Sequence, residues 1–537
     1  MERSSSGKHV SETPGPGASG AHQGAAPGRG PTGGTNPGTG AAEQDSGRWM
    51  VLAVVSIAQL MIVLDISIVN IALPDAQKAL GFSNGDRQWI VTAYSLAFGA
   101  LLLFGGRLAD QVGRKRMFVA GLCVFAVASF LGGISPNFAV LVIARAIQGV
   151  AGATLAPAAL SLLSTTFPDM RERGKAFSVF GAVAGSGAAI GLLLGGVLTE
   201  YLSWRWTLFI NVLFAAVALI GALRYLGHER PHERPGLDLP GTVLASVGLF
   251  CLVYGFSNAD RHPWGAPSTW GFIVIGGVLL LAFCARLART PDPLLPPRVV
   301  LDRDRGGSFL GMFLTGAGIF GVFLFLTFFL QTSLNYSPVL TGLAFMPLVI
   351  ALIITATIST TVMLPRIGPK FLIGPGMVIS AVGMAWLTGI SLSSSYAGDI
   401  LGPLILVGAG LGMVFAPALN TATYGVHPRD AGVASATANT AQQVGGSIGT
   451  ALLNSIAATA LASYVTAHAA DHVPAPELQA QAAVHSYQVV FWICAGIFAV
   501  GGVICFLLIR AGKQEPNPEP EPEPQPAPSQ PANVPGA

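Results

Sequence analysis

Charge is scarce in this chain. Of its 537 residues only 10% are Asp, Glu, Lys or Arg, while 52% are hydrophobic. So few charges cannot cover the surface of a soluble protein of this size. Cysteine is also sparse. Cys123, Cys251, Cys284, Cys494 and Cys505 all fall in apolar runs without metal-type spacing, which excludes a disulfide framework or a zinc site and leaves small packing residues. None of the nine histidines lies deep in an apolar run, and no G-x-x-x-x-G-K-[ST] phosphate loop occurs. We therefore expect no enzyme, no metal, no cofactor and no direct use of ATP.

What is present is long hydrophobic runs. They cover about 50–73, 89–107, 117–135, 138–164, 175–198, 206–226, 239–257, 270–288, 308–332, 340–363, 371–390, 400–424, 433–463 and 487–510. Each is long enough for a helix to cross about 30 Å of hydrocarbon. They are too long and too uniformly apolar for barrel strands, which would alternate. The chain thus reads as an all-α, multi-pass membrane protein of fourteen spans, with both ends on one side. Placing the ends in the cytoplasm puts all but five of the 29 Lys and Arg residues in the tails and inner loops. Lys78, Arg87, Arg205 and Arg261 then lie outside and Arg145 lies within a span. This bias accounts for the net charge of +3, which is no nucleic-acid signal. Residues 1–47, rich in Gly, Ser and Pro, and the Pro/Glu-rich residues 513–537 read as disordered cytoplasmic tails.

The chain also repeats itself. "GATLAPAAL" (Gly152 to Leu160) matches "GMVFAPALN" (Gly412 to Asn420), and the loop prolines Pro168 and Pro428 keep the same offset. Gly113-Arg114-Lys115 is echoed by Gly368-Pro369-Lys370. We read two related six-helix halves, 48–228 and 305–512, with two inserted spans and their linkers at 229–304. A site between two such halves is what alternating access requires.

Four motifs then occur in order. "GGRLADQVGRKRMF" (Gly105 to Phe118) resembles the loop-2/3 signature of the major facilitator superfamily, and "RAIQGVAGA" (Arg145 to Ala153) resembles the span-4 signature of its proton-coupled members. "LDISIVNIALP" (Leu64 to Pro74) and "WRWTLFINV" (Trp204 to Val212) resemble signatures of its fourteen-span drug/proton antiporters, the EmrB/QacA type. The resemblance covers about residues 48–510 and implies the major facilitator fold. One departure stands out: Gly191-Leu192 replaces the Gly-Pro usual in span 5, a motif the family associates with export. The glycines Gly187, Gly191, Gly195 and Gly196 remain, suited to close helix contact or to switching. In the loop-2/3 motif, Gly106 and Gly113 allow tight turns, and Asp110 with Arg114 and Lys115 could form and release a conformational latch. The plainer reading of those cations is topology.

Asp65 is the acidic residue that lies well inside a span. An ionisable group there costs about 2.5 kcal/mol or more unless paired or neutralised, so it is a functional candidate. On a helical wheel Ser56, Gln59, Ser67 and Asn70 share one side, while Asp65 lies opposite, beside Met61, Ile62, Ile68 and Val69. Either the polar stripe or Asp65 faces the central cavity. By helical rise Asp65 sits about 12 Å below Leu73, and Arg145 about 10 Å deep in span 4, so the two charges share a depth. They are a candidate proton-coupling pair or, alternatively, a static ion pair. Gln59, Asn70, Tyr94, Gln148 and Phe320 are candidate cavity-lining residues, with ordinary packing the alternative.

Together these point to a monomeric proton antiporter in the cytoplasmic membrane that exports small hydrophobic molecules such as drugs or antibiotics. Its partners would be substrate, protons and lipid. A proton symporter importing a metabolite and a non-transporting membrane sensor are the alternatives.

Overall fold

The computed structural model describes residues 37–83, 85–167, 170–227, 238–258, 262, 265–290, 293, 295–426, 431–469 and 474–512. The expected disorder of 1–36 and 513–537, and the loop prolines Pro168 and Pro428, lie outside the described residues. The described residues from Gly47 onward form one compact unit, within which all the packing and contacts below lie.

Among the described residues there are fourteen helices long and apolar enough to cross a membrane. They are α1 (Pro37–Leu80), α2 (Gln88–Val112), α3 (Arg114–Gly133), α4 (Phe138–Thr166), α5 (Met170–Tyr201), α6 (Trp206–Tyr225), α7 (Leu239–Asn258) and α8 (Pro267–Leu287). The rest are α9 (Arg303–Ser333), α10 (Pro338–Ile367), α11 (Lys370–Leu387), α12 (Tyr396–Thr423), α13 (Ala431–Ala467) and α14 (Ala475–Leu508). The helix ends differ most from the hydropathy limits at α1, which is already helical at Pro37, and at α14, which starts twelve residues early. The stretch 475–486, "APELQAQAAVHS", is rich in the helix formers Ala, Glu, Gln and Leu but is not apolar, so it extends the helix without extending the hydrophobic run.

The two halves have the same internal packing. In the first, α2 packs on α4 and α3 packs on α4 and α6; in the second, α10 packs on α12 and α11 packs on α12 and α14. The sequence repeat has a conformational counterpart. Pro157 and Pro417 both stand inside helices, and Gly113 and Gly368 both turn the chain with positive φ, 107° and 78°. A side chain at either turn would strain the backbone, which is why glycine recurs there. The inserted helices α7 and α8 pack on each other, with the absent side chain of Gly276 letting α8 approach the backbone of Gly248, and α7 packs on α2 and α13.

Consecutive helices alternate direction, so the turns α1–α2, α3–α4 and α5–α6 share one face, here the first face, and α2–α3 lies on the second. The halves meet toward the first face. There a Cβ on Gly196 would stand 2.7 Å from Pro338 O, and one on Gly342 2.5 Å from Leu192 O. Ser95 and Ser447 hydroxyls lie 2.8 Å apart, Gln331 donates to Ile71 O at 3.1 Å, and Val339 N donates to Glu200 at 3.0 Å. Toward the second face, Gly181 of α5 has nothing within 4 Å of its Cβ position.

Candidate functional site

Asp65 sits mid-span on α1 with no exposed surface, and Arg145 on α4 is 2% exposed. Arg145 Nη1 donates to Asp65 Oδ2 at 2.6 Å. The other carboxylate oxygen, Oδ1, accepts from Asn211 Nδ2 of α6 at 2.6 Å and from Gln148 Nε2 of α4 at 3.2 Å. Arg145 is held in turn. Its Nε donates to Ile90 O of α2 at 3.1 Å, its Nη1 also donates to Gln148 Oε1 at 2.8 Å, and its guanidinium lies 4.5 Å from the Tyr94 ring centre. Gln148 donates further to Ser129 Oγ of α3 at 2.7 Å. Five helices of the first half therefore converge on one carboxylate.

Local sequence makes this approach possible. Gly149 follows Gln148, and a Cβ there would run into the carbonyl of Tyr94; Gly152, one turn on, faces the Phe98 ring. The glycines of "RAIQGVAGA" thus let α4 lie against α2 closely enough for Arg145 to reach Ile90 O. Both oxygens of the Asp65 carboxylate act as acceptors here, from three side chains. A lone ion pair in such surroundings would not offset its desolvation, and the added hydrogen bonds from Asn211, Gln148 and Ile90 are what make it tenable.

The wheel left two orientations open, and the structure selects one. Asp65 points into the interface of α1 with α4 and α6, while Ser67 on the other side meets α5, where a Cβ on Gly191 would stand 2.9 Å from it. Gly187 and Gly195 face Val63 and Ile68 of α1 in the same way, and Gly196 faces α10. Of the residues expected along a cavity, Tyr94 and Gln148 instead belong to the buried cluster. Asn70 is buried and donates to its own helix at Ile66 O, 2.9 Å away, and Phe320 is buried, facing Gly446; Gln59 is half-buried. Asn211 and Ser129 were not singled out from the sequence. Asn211 had a signal, as a polar residue in the otherwise apolar "LFINV"; Ser129 had none, because a buried serine in a helix ordinarily bonds its own backbone.

At the α2–α3 turn, Lys115 Nζ donates to Leu226 O and so caps the end of α6, and Arg107 Nη2 donates to Pro293 O at 2.7 Å in the linker that follows α8. Gly106 faces Pro157 of α4 at 3.5 Å. The side chain of Asp110 lies outside the described residues. Among the described residues no three His, Cys, Asp or Glu gather as a metal would need.

A fourteen-helix bundle of two like halves, with a charged pair sealed in one of them, defines a multi-pass membrane transport protein and not an enzyme. The chain belongs to the Major Facilitator Superfamily, whose model matches residues 55–450. It is 47% identical over 467 residues to the puromycin resistance protein pur8 of Streptomyces alboniger, covering 87% of this chain and 92% of that protein. It is 40% identical over 418 residues to the cephamycin export protein CmcT of Amycolatopsis lactamdurans, covering 77% and 86%. Among solved structures, an auto-inhibited peptide transporter of the POT family shares the fold with a TM-score of 0.62 at 15% identity, over 88% of this chain and 99% of that one.

Proposed function

We propose that this protein is a proton-driven exporter of hydrophobic, antibiotic-like small molecules, with Asp65 as the proton carrier and Arg145 as its switchable partner. The observation that carries the reading is the carboxylate of Asp65 held by Arg145, Gln148 and Asn211, with no exposed surface. Every bond the carboxylate makes is an accepted one, so adding a proton cancels the charge that those donors share and weakens above all the bond from the charged Arg145. Arg145 keeps other partners, Ile90 O and Gln148. Protonation would thus loosen α1 from α4 and let the half rearrange around its seam with the other; deprotonation restores the pair. Such a two-state element is what proton coupling needs.

The export direction and the substrate class are taken from the resistance and export proteins to which this chain is similar. By the distribution of Lys and Arg, the first face is the outer one and both termini are cytoplasmic. The chain divides functionally at 48–228, 229–304 and 305–512, and it works as a monomer in the cytoplasmic membrane. Gly106, Asp110, Gly113, Arg114 and Lys115 act at the second face as a conformational latch with no part in binding substrate. The Lys115 contact with the end of α6 supports that reading.

The test is transport in proteoliposomes under an imposed pH gradient, with puromycin as the first probe of a wider antibiotic panel. Gradient-driven movement of at least one compound against the proton flux is expected, and its loss in a folded Asp65→Asn variant. Movement of every transported compound along with the protons would establish import instead. Wild-type, gradient-dependent rates in Asp65→Asn would remove Asp65 from the mechanism.

A further inference from the structure

A cavity of about 510 Å³ opens at the first face, on the seam between the halves and apart from the Asp65 cluster. We propose that it binds a small organic anion: an apolar or aromatic body carrying one sulfonate, carboxylate or phosphate group. Its volume lies within the range of about 300–1,000 Å³ usual for small-molecule sites.

The lining supplies both parts of that ligand. Its charged residues are Lys78 and Arg87, with no Asp or Glu among the described lining residues. Arg87 is buried; its Nε donates to Asn454 at 3.3 Å, and its guanidinium stacks 4.1 Å from the Phe328 ring centre. A guanidinium stacked on an aromatic plane keeps its planar fork in place, which suits it to an oxyanion. Lys78 is mostly exposed at the rim. Asp75 lies 3.7 Å from it, an exposed pair worth little to stability and so easily opened by an incoming anion. The opposite wall, Ala457, Ala458 and Leu461 with the Tyr487 ring, would take the apolar body. A cationic compound would meet two like charges and no acid among the described lining residues, so this is not a second copy of a cationic-drug site. The walls come from α1 and the α1–α2 turn of one half and from α9, α13 and α14 of the other.

The experiment is calorimetric titration of naphthalene-2-sulfonate, and of the neutral naphthalene-2-methanol, into the full-length protein in phosphatidylcholine nanodiscs. It needs no gradient and no transport, so its outcome is separate from that of the export test. Saturable binding of the sulfonate, about tenfold or more tighter than the neutral analogue, is expected, as one good charge contact provides. Lys78→Gln should weaken it several-fold. Arg87→Gln should weaken it further; because Arg87 is buried, Ala458→Trp serves as a second variant that fills the cavity and leaves both charges in place. Repeating the titration with phosphatidylglycerol in the nanodisc assigns the natural occupant, a lipid headgroup if that lipid competes and a soluble anion if it does not. Equal affinity for the two naphthalenes, or unchanged sulfonate binding in Ala458→Trp, overturns the proposal.

Discussion

Ser95 of α2 and Ser447 of α13 place their hydroxyl oxygens 2.8 Å apart in a buried contact between the two halves. Two hydroxyl protons serve these three contacts, so one serine donates across the seam while the other donates to its own helix, Ser95 to Val91 O at 3.1 Å or Ser447 to Gln443 O at 2.9 Å. The two side chains face each other either way. If the halves part at the first face during transport, this pair must separate. Ser95→Cys with Ser447→Cys, in a background without the native cysteines, should crosslink on oxidation and stop transport, with recovery on reduction. Full transport by the oxidised, crosslinked protein would show that the seam stays closed here throughout the cycle.

The two charges of the buried pair should respond unequally to removal. Arg145→Ala leaves the Asp65 carboxylate buried without its cation, a loss of about 3–5 kcal/mol. Asp65→Asn strands the Arg145 charge in turn, but it keeps the shape and an amide oxygen to which Arg145 Nη1 can still donate, so it should be better tolerated. Asn211→Ala removes one 2.6 Å bond to the carboxylate, worth about 1.5–3 kcal/mol for a charged acceptor. Thermal unfolding of the purified variants in one detergent should rank them Arg145→Ala least stable, then Asn211→Ala. Wild-type midpoints for both Arg145→Ala and Asp65→Asn would mean that the ion pair does not hold the half together.

Close backbone approach at the first face depends on Gly196 and Gly342, whose Cβ positions fall against Pro338 O and Leu192 O. Both obstacles are backbone, so a side chain cannot be accommodated by a rotamer change. Gly342→Val should wedge α5 from α10 and favour the opened first face. A cysteine placed at Val339 should then react faster with a membrane-impermeant maleimide than it does in the otherwise unsubstituted chain. An unchanged rate would show that the seam yields elsewhere.

Asp302 caps α9 by accepting from Asp304 N at 3.2 Å and Arg305 N at 3.1 Å. Burial pushes its carboxyl up, but the Arg305 backbone bond and the charges of Arg305 and Arg510 outweigh this and hold it below the usual range. A lowered value in the folded state means that its stabilising effect is full above the unfolded value and is lost as pH falls through the folded one. Asp302→Ala should cost about 1 kcal/mol at neutral pH, as a lost N-cap does. The gap between variant and wild type should close on acidification below pH about 4. A gap independent of pH would assign the effect to packing.

The span count, the helical class and the two-half plan were legible in the sequence, because in lipid a long apolar run admits essentially one backbone solution. So was the candidate pair: Asp65 and Arg145 stand out because charge within hydrocarbon is costly, and helical rise alone put them at one depth. The repeat of Gly113 in Gly368 was legible too, since both obey the same backbone constraint. The sequence left open which way Asp65 points, because a helical wheel gives relative angles within α1 but no direction to the neighbouring helices. Only the packing of α4 and α6 against α1 decided it, and the same packing drew Tyr94 and Gln148 away from a cavity and into the cluster. Asn211 and Ser129 joined for the same reason: a neutral polar side chain in a membrane helix is ordinary by composition, and it gains a role only from the partner that tertiary contact brings within reach. The first-face cavity lay furthest from view. Its walls come from four helices and one turn spread between Pro74 and Tyr487, and nothing local in the chain links them.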